Sequence, residues 1–363
     1  MVMRVVIAPD SFKGSIGAAE AARALAAGWR FVRPGDDVAE LPLADGGEGT
    51  LTVLAATDPG SRWHHVVVSG PGDGLVKAAW LELTGKVGVV ELAAAAGLPL
   101  LGELIPLDAH SYGVGELVRS ALDAGVLMVM ITLGGSACTD GGTGLLAALG
   151  ARFLDERGHI LPLGGGALTR LAAVDLSGLR QPPLAGVSCL TDVRAPLLGP
   201  GGAAAVFGPQ KGASPGDVGL LEEGLSRLAG LLGGDPAQPG AGAAGGCGYG
   251  LAAAWHARLQ PGAEQIAAAA GLPKALAAAD LVITGEGRYD ATSRAGKVIG
   301  AVQATAARAG VPVAVVAGSV AGAPPAAHTL ELTALAGSED EAMRQPARWL
   351  TEAGRQLADL LEP

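Results

Sequence analysis

Three glycine-flanked polar segments hold the residues best suited to chemistry: Ala8-Pro-Asp-Ser-Phe-Lys-Gly-Ser15, Pro42-Leu-Ala-Asp-Gly-Gly-Glu-Gly-Thr50 and Thr284-Gly-Glu-Gly-Arg-Tyr-Asp290. Each follows a short apolar run that reads as a buried parallel strand. In an open α/β sheet the C-terminal ends of the strands share one rim, and ligands bind outside it. Asp10, Ser11, Lys13, Asp45, Glu48, Glu286, Arg288 and Asp290 then converge. Any one of them reads most simply as a helix cap or turn residue; three such segments on one edge favour a ligand site.

A second constellation sits mid-chain. The apolar run 127–133 enters Gly134-Gly-Ser-Ala-Cys-Thr-Asp-Gly-Gly142 ahead of a helical stretch. Glycines let a backbone approach a ligand closely, Ser136 and Thr139 offer hydroxyls, and a helix N-terminus favours negative charge. This has the character of a phosphate cradle built without a Walker sequence, which the chain lacks, since Gly296-Lys297 is followed by Val298. Asp192 closes an apolar run and suits a general base or a metal ligand, with a plain turn residue as the alternative. Lys211 lies in the related segment Ala205-Val-Phe-Gly-Pro-Gln-Lys-Gly212. A formal GxGxxG at 240–245 follows a proline-rich turn rather than a strand, so its glycines read as close packing. Cys138 has no histidine partner and reads as a small buried residue.

Strands are expected over 4–8, 38–43, 281–284, 311–317 and 329–334. Helices are expected over 16–32 with Ser15 as N-cap, 47–56, 298–309 and 349–361, with a capping-box pattern at Ser338-Glu-Asp-Glu341. Strand and helix thus alternate at both ends of the chain. The middle differs: a hairpin around Thr84-Gly85-Lys86, helices near 113–124 and 144–149, strands near 127–133 and 188–192, and a helix opening at Ser214-Pro215. The expected fold class is α/β. A doubly wound, Rossmann- or flavodoxin-like parallel sheet formed by both chain ends (1–65 and 279–363) carries a large inserted α/β (α+β) domain (66–278), with the active site in the cleft between them.

Length and composition narrow the function classes. At 363 residues the chain suggests about two domains. A net charge of −10 disfavours nucleic acid and anionic lipid as partners. With 49% hydrophobic and 17% charged residues it is too apolar to be disordered. Three widely spaced cysteines give neither a disulfide framework nor a zinc site. The uncharged stretch 309–330 contains Pro312, Pro324 and Pro325, which would break a spanning helix. The expectation is a soluble, cytoplasmic protein with no membrane partner, its homo-oligomerisation left open. Lysine is scarce, and Lys13, Lys211 and Lys297 all stand beside glycine, where a compact, movable ammonium is needed.

Together these segments resemble the bacterial glycerate kinase family of the two-domain α/β type. The resemblance rests on the Asp10–Lys13 segment, Leu43-Ala-Asp-Gly-Gly-Glu-Gly-Thr50, Gly134-Gly-Ser136 with Asp140-Gly-Gly142, the run from Gly202 to Gly212, the glycines of 240–246, and Thr284-Gly-Glu-Gly-Arg288 with Asp290. It implies ATP- and Mg²⁺-dependent phosphorylation of D-glycerate, with 2-phosphoglycerate favoured over 3-phosphoglycerate. The alternatives are a kinase for another small hydroxy acid on the same fold, or a non-catalytic sensor of glycerate or nucleotide. Three places depart from the family pattern: Cys138-Thr139, the segment Thr191–Pro196 at Thr191 and Ala195, and Thr292.

Phosphoryl transfer demands in-line positioning and neutralised charge more than covalent help. On that ground Lys13, Arg288 and Asp192 are assigned to catalysis, Asp192 as base. Asp10, Ser11, Lys13, Arg288 and Asp290 are assigned to the substrate, and Gly134, Gly135, Ser136, Asp140 and Lys211 to ATP. Asp45, Glu48 and Glu286 are assigned to Mg²⁺.

Overall fold

The computed structural model describes residues 2–47, 49–290, 293 and 297–361. The chain divides into two compact units. The first comprises the N-terminal residues to Asp45, Thr52–Thr57 and the chain from Pro261 onward; the second comprises Gly46–Leu51 and Asp58–Gln260.

Five parallel strands form the sheet of the first unit, in the order His328–Glu331, Val313–Val320, Leu281–Tyr289, Arg4–Ile7, Asp37–Glu40. Their central residues are apolar on both faces. Val5, Val6, Ile7, Val282, Ile283, Val315 and Val316 are all buried, which a sheet covered on both sides requires. Helices Ala18–Val32 and Pro346–Leu360 bring Leu25, Trp29, Leu350 and Leu357 to one core. Helices Gly262–Ala269, Leu272–Leu276 and Val298–Ala309 bring Ala263, Leu272, Leu276 and Val302 to the other. The chain leaves Arg4–Ile7 toward Asp37–Glu40 on one side, and the later strands build outward on the other. The strand order therefore reverses between Arg4–Ile7 and Leu281–Tyr289, where a doubly wound sheet opens a crevice.

The sheet of the second unit has six strands. Arg258–Gln260, Val187–Leu190, Met128–Thr132 and Val87–Glu91 run parallel, and Leu75–Leu83 and Arg62–Ser69 continue it antiparallel. The expected hairpin is present: Gly85 (φ 89°) and Lys86 (φ 64°) take the two left-handed positions of its tight turn. Helix Pro215–Leu232 starts with Ser214 and Asp217 in a reciprocal capping box.

Several boundaries differ from expectation for identifiable reasons. Residues 261–278 go with the first unit, because Ala263, Ala267, Leu272 and Leu276 pack on Val6, Ala8 and Leu43. Residues 58–65 go with the second, because Arg62–Ser69 pairs along its length with Leu75–Leu83. Helix Ala18–Val32 is preceded by Gly17 rather than capped by Ser15, whose hydroxyl donates to the Phe12 carbonyl at 2.8 Å. The expected strand 329–334 turns helical at Leu332. The late strand does not stop at Thr284 but runs to Tyr289, so the polar Glu286–Arg288 segment is itself paired sheet.

Where helices Ala18–Val32 and Pro346–Leu360 meet, both present glycine. A Cβ on Gly28 would lie 2.0 Å from the Thr351 carbonyl oxygen, and one on Gly354 would lie 2.3 Å from that of Leu25. Alanine gains up to ~1 kcal/mol over glycine in a helix interior, but here the overlap is with backbone and cannot be relieved by a rotamer. Gly28→Ala is therefore expected to destabilise the protein by about 1–3 kcal/mol. Gly219→Ala, where the added methyl meets nothing within 4 Å, should be neutral or stabilising. Urea melts of the two variants check the contrast.

Candidate active site

The rim of the first unit is assembled by the two central strands. Backbone bonds carry the pairing beyond Arg4–Ile7: Ala8 N donates to Ile283 O at 2.7 Å, and Asp10 N donates to Gly285 O at 2.8 Å. This brings the Asp10 segment alongside Glu286. Glycine at 287 suits this approach, and glycine at 285 suits the strand Val313–Val320 on the other side. A Cβ on Gly285 would lie 2.1 Å from Val316 O, and one on Gly287 would lie 3.2 Å from Lys13 N. Leu43 N donates to Pro9 O at 2.9 Å and leads the chain to Asp45 on the same rim.

The resulting cavity, about 300 Å³, is lined by Asp10, Asp45, Glu286 and Asp290 together with Lys13, Arg288 and Lys297. Asp10 is buried, and its carboxyl is pushed up to about 7 by desolvation and then by the neighbouring Asp45 charge. Its Oδ1 accepts from Ser11 N at 2.6 Å, which only partly offsets this. Glu286 is also shifted upward, chiefly by burial, with Ser293 and Lys297 pulling the other way. Its Oε1 is buried with no hydrogen-bond partner among the described residues. Lys13 is largely exposed, its Nζ 3.9 Å from Asp45 Oδ2. The rim thus gathers negative charge around one hollow, with the exposed cations Lys13 and Arg288 at its edge.

In the second unit the strand Met128–Thr132 leads into Gly134-Gly135-Ser136. The N–H groups of these three residues have no hydrogen-bond acceptor among the described residues, and Gly135 is exposed at φ 71°. Consecutive outward N–H groups of this kind form an anion-binding concavity. A Cβ on Gly134 would lie 2.9 Å from Gly47 Cα, so glycine lets the Gly46–Gly47 loop cross beside the turn.

Behind the turn lies Lys211. It is buried, and its Nζ donates to Cys138 O at 2.5 Å, Ser136 Oγ at 3.0 Å and Thr139 Oγ1 at 3.5 Å. Burial pushes its pKa down, opposed by the thiols and by Asp140. Asp140 is buried too. Its carboxylate accepts from Ser111 N and Oγ, Gly142 N and Gly144 N at 2.8–3.2 Å. Asp192 is exposed beyond the strand Val187–Leu190, which lies next to Met128–Thr132, so it shares that sheet's rim with the glycine turn.

Residues 5–362 match the glycerate kinase family. The chain belongs to that family. A glycerate kinase of Bacillus subtilis (strain 168) is 44% identical over 88% of this chain and 85% of its own length. A glycerate 2-kinase of Escherichia coli (strain K12) is 40% identical over 99% and 98%. Among solved structures, a Salmonella typhimurium LT2 protein described as a glycerate kinase 2 matches with a TM-score of 0.87 at 39% identity, covering 99% of this chain and 98% of that one. The α/β fold and the kinase activity expected from the sequence accordingly stand.

Within this glycerate kinase family member, the structure brings Asp10, Ser11, Lys13, Asp45, Glu286, Arg288 and Asp290 to one cavity. Glu48, expected beside them, lies outside the described residues. Gly134, Gly135 and Ser136 form an open turn. Asp140 and Lys211 stand behind it, using their polar atoms to hold its shape. Sequence reasoning missed the cavity wall supplied by the C-terminal third: Ser319, Thr333, Glu339 and Met343. Ser338 was legible as a cap and does accept from Glu341 N, but nothing local signals that Glu339 beside it faces a cavity. Among the described residues no helix is long and apolar enough to cross a membrane.

The raised Asp10 pKa has a definite sign for stability. The folded chain holds this proton more tightly than the unfolded one, so it binds more protons between about pH 4 and 7 and loses stability as pH rises through that window. Asp10→Asn should flatten this slope and stabilise the ligand-free protein at pH 8 by about 2–4 kcal/mol. Denaturant melts from pH 5 to 8 measure it; parallel slopes for the two proteins would show that Asp10 does not titrate there.

Proposed function

We propose that the protein transfers the γ-phosphoryl group of Mg²⁺-bound ATP to the 2-hydroxyl of D-glycerate, giving 2-phosphoglycerate and ADP. The observation that carries this reading is the pairing of two chemistries in a family member: a rim rich in buried carboxylates and a turn of unsatisfied N–H groups. The first suits a cation and a small polar acid; the second suits phosphates. The 2-position is favoured because the Escherichia coli relative is a glycerate 2-kinase.

The rim suits a magnesium ion held by one or two carboxylates, since no three of its described acids bring their oxygens within 4.8 Å of one another. Such an ion takes oxygen ligands and keeps several waters. Asp10, Asp45, Glu286 and Asp290 supply only oxygens, and the unpartnered, buried Glu286 Oε1 is the kind of atom an ion satisfies. Bound there, the ion would neutralise charge on the transferring phosphate. Lys13 and Arg288 attract the glycerate carboxylate and steady the phosphoryl group. Gly134, Gly135 and Ser136 hold ATP phosphate oxygens by backbone N–H, with Lys211 and Asp140 fixing the turn. Asp192, exposed on the same rim as the turn, takes the proton from the glycerate hydroxyl. ATP supply places the reaction in the cytoplasm.

Incubation with ATP, Mg²⁺ and D-glycerate, read by phosphorus NMR, tests the reaction and the position at once. A 2-phosphoglycerate resonance is expected. A 3-phosphoglycerate signal would overturn the regiochemistry, and no turnover would overturn the substrate. Lys13→Ala should lower turnover by about 100-fold or more, the size of losing one transition-state charge contact; a loss of only a few-fold would make Lys13 peripheral. Asp192→Asn is nearly isosteric and exposed, so it should abolish most activity while leaving the melting curve unchanged. An active Asp192→Asn enzyme would move the base elsewhere.

A further inference from the structure

Two of the three cysteines form a contact that the proposed reaction does not use. Cys138, four residues into the glycine turn, and Cys247, on helix Ala243–Trp255, are both fully buried with their sulfurs 4.0 Å apart. The backbones that carry them are also close. A Cβ on Gly245 would lie 2.1 Å from Cys138 O, Gly141 N donates to Gly245 O at 3.0 Å, and Cys138 Sγ lies 4.0 Å from Ala244 O. Ala244, Gly245 and Gly246 hold this approach with φ of 52°, 63° and 92°, an interruption that sets Cys247 against the turn.

A metal ion on these atoms is disfavoured, although Asp140 is close enough to complete a group of three. The Asp140 oxygens already accept four N–H and O–H donors. The Lys211 ammonium, which interacts with both thiols and Asp140, supplies the positive charge. Cys247 is held protonated by its Cys138 contact and by burial. What remains available to two thiols in contact is oxidation to one another: a disulfide needs a sulfur separation of about 2.05 Å, reached by a short approach of the two side chains.

We propose that Cys138 and Cys247 are a modification site, a thiol pair that a two-electron oxidant converts to a disulfide, and that this bond switches the enzyme off through the glycine turn. With an azodicarboxamide oxidant such as diamide, one thiolate adds to the N=N bond. The second displaces the hydrazine from that sulfur. The S–S bond forms, both thiol protons end on nitrogen, and the azo compound leaves reduced by two electrons. Because both sulfurs are buried, the reaction waits on local opening of the turn and is slow. Drawing Cys138 toward the helix pulls its carbonyl from Lys211 Nζ. That carbonyl and Ser136 Oγ are held by the same ammonium, so the N–H groups of 134–136 are displaced. The loss of turnover rests on the proposed phosphate role of that turn; the bond itself does not.

Diamide treatment of the native protein, followed by intact mass and peptide mapping, should show a two-hydrogen loss and a peptide joining residues 138 and 247. Activity should fall by about tenfold or more, as displacement of a positioned group does, and return with dithiothreitol. Each variant is normalised to its own untreated activity. Cys138→Ala and Cys247→Ala should both lose the response, and Cys189→Ala should keep it. Should Cys138→Ala fail to fold, Cys247→Ala and the wild-type peptide map decide. No 138–247 crosslink overturns the site, and a crosslink with full activity overturns the switch. If the untreated protein does not phosphorylate glycerate, the proposed reaction fails while the mass readout still decides the bond.

Discussion

The first unit depends on one electrostatic constraint: carboxylates held near one another where water is largely excluded. Ile7 pairs with Ile283, and three residues beyond each stand Asp10 and Glu286. The register of two apolar strands thus sets two acids at the same level of the rim. Desolvation and like charge both favour their neutral forms, and so each is shifted upward. A site of this kind is poor as structure, since its repulsion grows whenever its protons leave. It is good as a receptor, because a cation relieves the repulsion on arrival. The same reasoning explains the cations at the edge rather than in the middle: Lys13 is 78% exposed, and it meets Asp45 only at 3.9 Å. It remains available to an anionic ligand instead of being consumed by the acids.

The second unit solves the opposite problem. Its glycine turn leaves three N–H groups without an acceptor among the described residues, and such a turn must not collapse onto its own carbonyls. Lys211 prevents this by fastening Ser136, Cys138 and Thr139 from behind. Asp140 fastens the following segment through Ser111, Gly142 and Gly144. One buried cation and one buried anion, each fully hydrogen-bonded, therefore fix the geometry of a surface made of backbone. This is the situation in which buried charge is tolerated: the hydrogen-bond partners of each are complete.

The legible parts of the fold were those written in short-range pattern. Val5, Val6 and Ile7 and the start of Leu281–Tyr289 are uncharged and mostly β-branched, and the Ser214 and Ser338 caps carry their acids three residues on. Arg62–Ser69 escaped because it is an edge strand, so its Arg62, Trp63 and His65 side chains meet solvent instead of a core. The extension of the late strand to Tyr289 also escaped. Its glycines look like a loop in sequence, yet they serve strand contact: a Cβ on Gly318 would lie 2.1 Å from Gly287 O. The site was legible wherever a polar residue ended an apolar run. It was not where the wall comes from helix Glu339–Arg344, whose place depends on packing from distant parts of the chain.

The scarcity of lysine can now be given physical content. Three lysines beside glycine prove to occupy three unlike environments. Lys13 is an exposed surface cation. Lys297 precedes helix Val298–Ala309 and pulls on the Glu286 charge from the cavity wall. Lys211 is buried against three oxygens. Arginine would serve none of them equally. A planar guanidinium directs its donors into one plane, whereas the acceptors at Lys211 come from a hydroxyl, a carbonyl and a second hydroxyl along a turning backbone. A tetrahedral ammonium can meet all three within a space no larger than itself. Donor geometry, rather than charge alone, thus decides the fit at Lys211.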